Sequence, residues 1–149
     1  MAYDAPDYGG YDRQKADTQY KYSQDSVSNA YGRFLGQQRG NRNLSDSYRN
    51  YQRQTPKFRS GLAQRGVAGP GVGGGLQQQA MDRYVGDFAR DYGRQQQDLT
   101  QQNQQFDLSQ ANLDNWRSQS MAAIEADKQR SIANDAAQME YLRQLVGGL

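Results

Sequence analysis

Hydrophobic residues recur every seven positions over the second half of the chain. The longest series of this kind is Val85, Tyr92, Leu99, Phe106 and Leu113, with Phe88 and Trp116 three residues after its first and last members. A seven-residue repeat is typical of a helix that packs against other helices along one narrow face. The pattern predicts an all-α, non-globular chain. Residues 76–149 are expected to form one long coiled-coil-like helix, or a helical hairpin if that helix breaks near Gly93 or residues 118–120.

The spacing changes after Trp116, and the predicted face is only partly apolar. Leu113 and Ile124 are eleven residues apart, which predicts a straighter or bent stretch of helix there because an eleven-residue step relaxes a left-handed supercoil. Polar residues, among them Gln95 and Gln102, take companion positions in the middle of the repeat. The helix cannot bury such a face alone. We therefore expect self-association through Val85, Phe88, Tyr92, Leu99, Phe106, Leu113, Trp116, Ile124, Ile132, Met139 and Leu142.

The first half of the chain has only short amphipathic stretches. One predicts a short helix over residues 23–37, and a second over residues 43–54 is expected to end before Pro56. Helices of this length are not stable alone in water. We therefore expect residues 1–65 to form an extended arm that carries short docking helices. A glycine-rich hinge at residues 66–75 would connect the arm to the long helix.

Glycines within the predicted long helix need an explanation of their own. Gly86 and Gly93 lie seven residues apart on one helix face, and each costs about 1 kcal/mol relative to alanine. Close approach of a neighbouring helix is the preferred explanation, and a hinge is the second. At the end of the chain, Gly147 and Gly148 followed by Leu149 predict a glycine C-cap.

Charge divides the chain into a basic and an acidic part. Residues 1–75 carry eleven lysines and arginines against six aspartates, a net of +5, whereas residues 76–149 carry seven against ten acidic residues, a net of −3. Most of the excess lies between Arg39 and Arg65, where Asp46 is the sole acidic residue. A basic arm joined to an acidic helix is typical of a protein that binds a negatively charged surface or neighbour.

Aromatic residues are interspersed with the basic ones in this arm. Tyrosine offers a large apolar contact area with a hydrogen-bonding tip and loses little rotamer entropy on binding. An acidic protein surface is the preferred partner, and nonspecific contact with nucleic acid is the alternative. The residues expected to bind are Tyr20, Tyr22, Tyr31, Phe34, Arg39, Arg42, Tyr48, Arg49, Tyr51, Arg53, Lys57 and Arg59.

The composition argues against an enzyme. The chain has no cysteine and no histidine, which removes thiol chemistry, disulfides, most zinc sites and the usual general base. Its carboxylates are scattered around the predicted helix and are not paired for acid–base catalysis. With a mean hydropathy of −1.11, the chain has no segment near the ~20 apolar residues of a membrane span. We expect no enzymatic activity, no cofactor, no metal and no membrane span.

Three features of the sequence carry a resemblance to a known class of protein. They are the start rich in tyrosine and glycine, the run FRSGLAQRGVAGPGVGGG that enters a helix, and the helical run QQQDLTQQNQQFDLSQANLDNW. In these features the chain resembles small structural proteins of tailed-bacteriophage virions, including internal, ejected and head–tail proteins. The resemblance implies a multi-copy, non-enzymatic protein that is made in the host cytoplasm and assembled in the virion, near the portal, tail or capsid interior.

Three interpretations of function follow. In the first, the chain is a virion structural protein whose helices pack with copies of itself or with portal, tail or capsid proteins. Its arm clamps adjacent subunits, and its contact with packaged DNA is nonspecific at most. In the second, it is an ejected or pilot protein that forms or lines a conduit for the genome. In the third, it is a nucleic-acid-associated low-complexity bacterial protein.

Overall fold

A computed structural model of the chain describes residues 8–65 and 74–147. Both ranges are helical, so the prediction of an all-α chain is confirmed. Helix α1 spans Gly9–Gln64 and helix α2 spans Gly74–Gly147, and the two long helices pack against each other. Most of the predicted hinge, residues 1–7 of the predicted arm, and Gly148 and Leu149 of the predicted C-cap lie outside the described residues.

The contacts divide the chain into two compact units. The terminal unit combines Met1–Ala30 with Leu108–Leu149, and the central unit is Tyr31–Asp107. In each unit a segment of α1 packs antiparallel to a segment of α2. As the residue numbers along α1 increase, the residue numbers of their contact partners on α2 decrease. In the central unit, for example, Arg33 contacts Asp107, whereas Ser47 contacts Gln95.

The extended arm is a wrong prediction for the described residues, because α1 is one continuous helix from Gly9 to Gln64. Each amphipathic stretch is too short to form a stable helix by itself in water. Packing against α2 in each of the two units supplies what the separate stretches lack. Helix α2 is also continuous, so the predicted hairpin break near Gly93 or residues 118–120 is absent from Gly74–Gly147.

Pro56 was predicted to end a helix but lies inside α1. A proline in a helix interior costs about 3 kcal/mol because it removes a backbone hydrogen bond and clashes with the preceding turn. Here the helix is held on both sides of the proline, since Tyr51 and Phe58 both stack on rings of α2. The hydroxyl of Thr55 also donates a 2.7 Å hydrogen bond to the carbonyl of Tyr51.

The half-buried residues of each helix repeat every eleven positions. On α1 of the central unit, Leu44 follows Arg33 by eleven residues and Phe58 follows Ser47 by eleven. On α2 the same step relates Tyr84, Gln95 and Phe106. The terminal unit repeats it with Tyr11 and Tyr22 on α1, and with Leu113, Ile124 and Asp135 on α2. Three turns per eleven residues is close to the natural helix period, so helices with this spacing pack with little supercoil.

The described residues do not enclose a hydrophobic core. Among the described residues only Gly36 of α1 is buried, and no large side chain is. The helices instead meet along a half-buried line of contacts, which we call the inner seam. No helix in the described ranges is long and apolar enough to cross a membrane.

Candidate interaction surfaces

Three glycines bring the helices close together at the inner seam of the central unit. Gly32, Gly36 and Gly40 are four residues apart on α1 and face α2. A Cβ atom on Gly40 would lie 2.5 Å from Cδ1 of Leu99, and one on Gly32 would lie 3.2 Å from Cε1 of Phe106. A Cβ on Gly36 would meet the amide of Gln102 at 3.0 Å. These glycines therefore leave space that the large side chains of α2 occupy.

Aromatic rings also line the inner seam of the central unit, beside hydrogen bonds such as that from Ser47 to Gln95 at 2.9 Å. Tyr51 stacks on Phe88 with ring centroids 4.0 Å apart and planes inclined by 17°. Phe58 stacks on Tyr84 at 4.6 Å and 14°, and Tyr84 also stacks on Tyr51 at 5.6 Å. Stacked pairs of this kind are each worth about 0.5–1.5 kcal/mol beyond the area that they bury. Rings from α1 alternate with rings from α2, so the stack links the two helices.

Hydrogen bonds dominate the inner seam of the terminal unit. The hydroxyl of Tyr22 donates to Asp114 at 2.6 Å, and that of Tyr8 donates to Asp135 at 2.8 Å. The side-chain oxygen of Gln110 accepts hydrogen bonds from Ser26 at 3.1 Å and from Asn29 at 3.2 Å. The two helices are thus linked by tyrosine, serine and amide side chains where a coiled coil would place leucine.

Ion pairs and cation–π contacts complete the inner seam of the terminal unit. Lys15 pairs with Glu125, and a hydrogen bond from the lysine, with a second from Gln129, lowers the pKa of the Glu125 carboxyl. The ammonium group of Lys21 lies 5.2 Å from the centre of the Trp116 ring, and the guanidinium of Arg117 lies 4.5 Å from that of Tyr22. These contacts are strongest when the cations are poorly hydrated.

The residues predicted to drive self-association divide between two environments. Most of them are half-buried residues of α2, on the side that packs on α1 of the same chain. They are Phe88, Tyr92, Leu99, Phe106, Leu113, Trp116 and Ile124. The other four are exposed: Val85 (42%), Ile132 (37%), Met139 (37%) and Leu142 (48%). A strict heptad drifts about 20° per repeat around a straight helix, which explains why Val85 leaves the face that Tyr92 and Leu99 share.

The residues predicted to bind through the arm divide in the same way. Tyr22 and Tyr51 contact α2, so they stabilise the packing of the two helices and are not available to a partner in this form. Tyr20 (65%), Tyr31 (62%), Phe34 (57%) and Tyr48 (49%) remain exposed. The basic residues of the set are exposed as well: Arg39, Arg42, Arg49, Arg53, Lys57 and Arg59.

Within the chain, the close approach of the two helices involves glycines of α1 and not the predicted pair, Gly86 and Gly93. A Cβ on Gly86 or Gly93 would meet nothing within 4 Å, whereas Gly32, Gly36 and Gly40 face α2 directly. The spacing of four residues in GRFLGQQRG was the available signal, since glycines four apart lie on one helix face and permit close approach. It was missed because residues 1–65 were assigned to an extended arm.

Neither potential metal ligands in the described residues nor comparison with known proteins identifies a further site. No group of three or more potential metal ligands occurs in residues 8–65 and 74–147. Comparison with known protein families, curated proteins and solved structures finds no match for this chain.

Proposed function

We propose that this chain is a non-enzymatic, multi-copy structural protein of a bacteriophage virion. In this role its two packed helices associate with copies of the chain or with portal, tail or capsid proteins. One observation carries the proposal: the described part of the chain exposes thirteen large hydrophobic side chains and buries none. A protein built this way gains stability by covering its surface with neighbours. The resemblance of the sequence to virion proteins supplies the setting.

The exposed apolar residues of α1 are arranged for such packing. In the terminal unit, Tyr20 and Val27 are seven residues apart on one face and are 65% and 69% exposed. In the central unit, Tyr31 and Phe34 are three residues apart and are 62% and 57% exposed. Aromatic side chains of this exposure are typical anchors of protein interfaces.

An ejected or pilot protein is the second candidate, and the inner seam of the terminal unit favours it. Ser26, Asn29 and Gln110 exchange hydrogen bonds that water could replace at little cost. Helices joined in this way separate more readily than helices joined by leucine. A stored protein that must leave the particle through a narrow channel benefits from that property.

The proposal is tested in a phage that encodes the chain. Mass spectrometry of purified virions should find it in several copies per particle. Replacing Tyr20, Val27, Tyr31 and Phe34 by serine should lower that copy number while the helix content of the purified protein is unchanged. A matched variant replaces Gln97, Gln101, Gln104 and Gln105, which are exposed on α2, by serine and should leave the copy number unchanged.

Two outcomes decide between the candidates. Absence of the chain from purified virions would contradict both. Particles that have released their DNA separate them, because a structural protein stays with the emptied particle and an ejected protein leaves with the genome.

A further inference from the structure

Five basic residues of α1 share one outward face of the central unit. Arg39, Arg42, Arg49, Arg53 and Lys57 follow one another at steps of three, seven, four and four residues, which place them on one side of a helix. All five are exposed. They lie on the side of α1 opposite the inner seam, and Asp46 is the one acidic residue among them. We call this face the basic stripe.

The charge of the basic stripe is not neutralised within the described chain. None of its five cations has an ion-pair partner among residues 8–65 and 74–147. Other cations do, including Arg33 with Asp107 at 2.7 Å and Arg90 with Asp87 at 3.6 Å. Residues 31–65 carry eight lysines and arginines against one aspartate, a net of +7. A row of uncompensated charge attracts a polyanion over a distance of about one Debye length.

The residues between the cations indicate which polyanion fits. Exposed neighbours of the basic stripe include Asn41, Asn43, Ser45, Asn50 and Gln52, and Tyr48 is the sole aromatic residue from 39 to 57 that is largely exposed. A protein partner would need apolar or aromatic anchors at the centre of the interface. Phosphate groups are instead bound by arginine and lysine, with asparagine, glutamine and serine donating further hydrogen bonds.

We propose that the basic stripe binds the phosphate backbone of a nucleic-acid duplex without sequence preference. Single strands are a poorer fit, because proteins hold them with aromatic platforms on which the bases stack. From residue 39 to residue 57 only the ring of Tyr48 is largely exposed, so the basic stripe has no series of such platforms. A continuous helix with one cation for nearly every turn matches the regular charge of a duplex.

The expected salt dependence follows from the number of cations. Five phosphate contacts predict a slope of about −4.5 for the logarithm of the binding constant against the logarithm of salt concentration. Raising salt from about 50 to 200 mM should then weaken binding by roughly 10²–10³-fold. Two duplexes of unrelated sequence should give equal affinities.

Fluorescence anisotropy of labelled duplexes, with the full chain as the titrant, tests the proposal. The stripe variant replaces all five cations by glutamine, a good helix former, and should lose most of its affinity and its salt slope. The matched variant replaces Arg83, Arg90, Arg94, Arg130 and Arg143 of α2 by glutamine, which removes the same charge. It should keep most of the affinity. A third variant, with lysine at positions 39, 42, 49 and 53, should bind within about threefold of the original chain because its charge is kept.

Several results would overturn the proposal. Equal losses in the stripe variant and the matched variant would show that net charge, and not the basic stripe, governs binding. Tighter binding of single strands than of duplexes would contradict the backbone geometry, as would loss of binding in the lysine variant. Polyglutamate that competes as well as DNA per unit charge would identify an acidic protein as the partner. DNA and RNA duplexes, measured side by side, identify which duplex is preferred.

Discussion

The terminal unit and the central unit repeat half-buried residues at the same eleven-residue spacing but join their helices with different chemistry. In the central unit, glycines at positions 32, 36 and 40 and the stacked rings of Tyr51 and Phe88 fit the helices together by shape, beside a few polar contacts such as that of Ser47 with Gln95. In the terminal unit, hydrogen bonds such as that from Tyr22 to Asp114 and ion pairs such as that of Lys15 with Glu125 join them. Spacing therefore selects which residues meet, and the residue types decide what the contact depends on.

This difference has consequences for stability. Contacts that depend on shape are lost when a side chain is enlarged or removed, but they change little with pH or salt. Hydrogen bonds and ion pairs at the surface contribute less, and acid or salt weakens the ion pairs. We expect the central unit to be the more sensitive to changes of volume and the terminal unit to be the more sensitive to solution conditions.

Enlarging the seam glycines should have the largest effect. Gly36→Leu with Gly40→Leu places side chains where Gln102 and Leu99 lie, and overpacking costs about 1–3 kcal/mol at each position. Urea unfolding measures the loss, and amide hydrogen exchange should show it in residues 31–107. The matched variant, Gly86→Leu with Gly93→Leu, fills open space and should not lower the free energy of unfolding. Equal losses in both variants would contradict the assignment of the close approach to α1.

Removing an aromatic ring from the inner seam of the central unit should have the second-largest effect on stability. Phe88→Ala deletes the contacts with Tyr51 and Tyr92 and should cost about 2 kcal/mol, less than a fully buried phenylalanine because Phe88 is only half-buried. Phe34→Ala is the control, since Phe34 is 57% exposed and its loss should change the stability of the isolated chain by less than about 0.5 kcal/mol. Thermal unfolding of the two variants at one protein concentration makes the comparison.

A smaller effect is expected when a hydrogen-bonding side chain is removed from the inner seam of the terminal unit. Gln110→Ala removes the acceptor shared by Ser26 and Asn29 and the donor to Tyr22, which should cost about 1 kcal/mol. Hydrogen exchange should increase in the terminal unit and stay constant in the central unit. Gln105→Ala, at an exposed position of the same helix, serves as the control. An equal increase in both units would show that they do not respond separately.

The smallest expected effect concerns pH. The pKa of Glu125 is lowered in the folded chain, chiefly by the hydrogen bond from Lys15. A carboxyl whose pKa is lower when folded stabilises the fold at pH values above its unfolded pKa, and that contribution is lost as pH falls through the folded value. Acidification below about pH 4 should therefore destabilise the original chain more than the Glu125→Gln variant. An unchanged acid dependence in the variant would show that the pair contributes nothing.

Much of the helical structure could be predicted from the sequence, but the arrangement of the helices could not. The repeat through Tyr92, Leu99 and Phe106 identified the inward face of α2 because seven residues are close to two helical turns. The same repeat does not say whether the partner is another chain or an earlier segment of the same one. An arm is predicted for residues 1–65 because their amphipathic stretches are short and the second is expected to end before Pro56. Their helix depends on contacts with distant residues of α2, such as that of Phe58 with Tyr84, and local reasoning does not include them.

The predictions for the interaction surfaces have the same limit as those for the helices. Tyr31, Phe34 and the basic stripe are exposed, and their expected roles in binding stay predictions. The intramolecular role of Tyr22 and Tyr51 was not foreseen. A tyrosine that packs on a neighbouring helix of the same chain and one that packs on another protein have the same sequence signature.

Thiol cross-linking gives the most direct test of the claim that α1 and α2 pack antiparallel within one chain. The chain has no cysteine, so pairs can be introduced without interference. Ser26→Cys with Gln110→Cys in the terminal unit, and Ser47→Cys with Gln95→Cys in the central unit, replace residues that are hydrogen-bonded across the inner seam. Ser45→Cys with Gln97→Cys is the outward control, since both positions are exposed. With a short bifunctional thiol reagent at high dilution, we predict efficient cross-links within single chains for both inward pairs and few for the control. Cross-links that form only between chains, or equally in all three variants, would contradict the antiparallel packing of α1 and α2 within one chain.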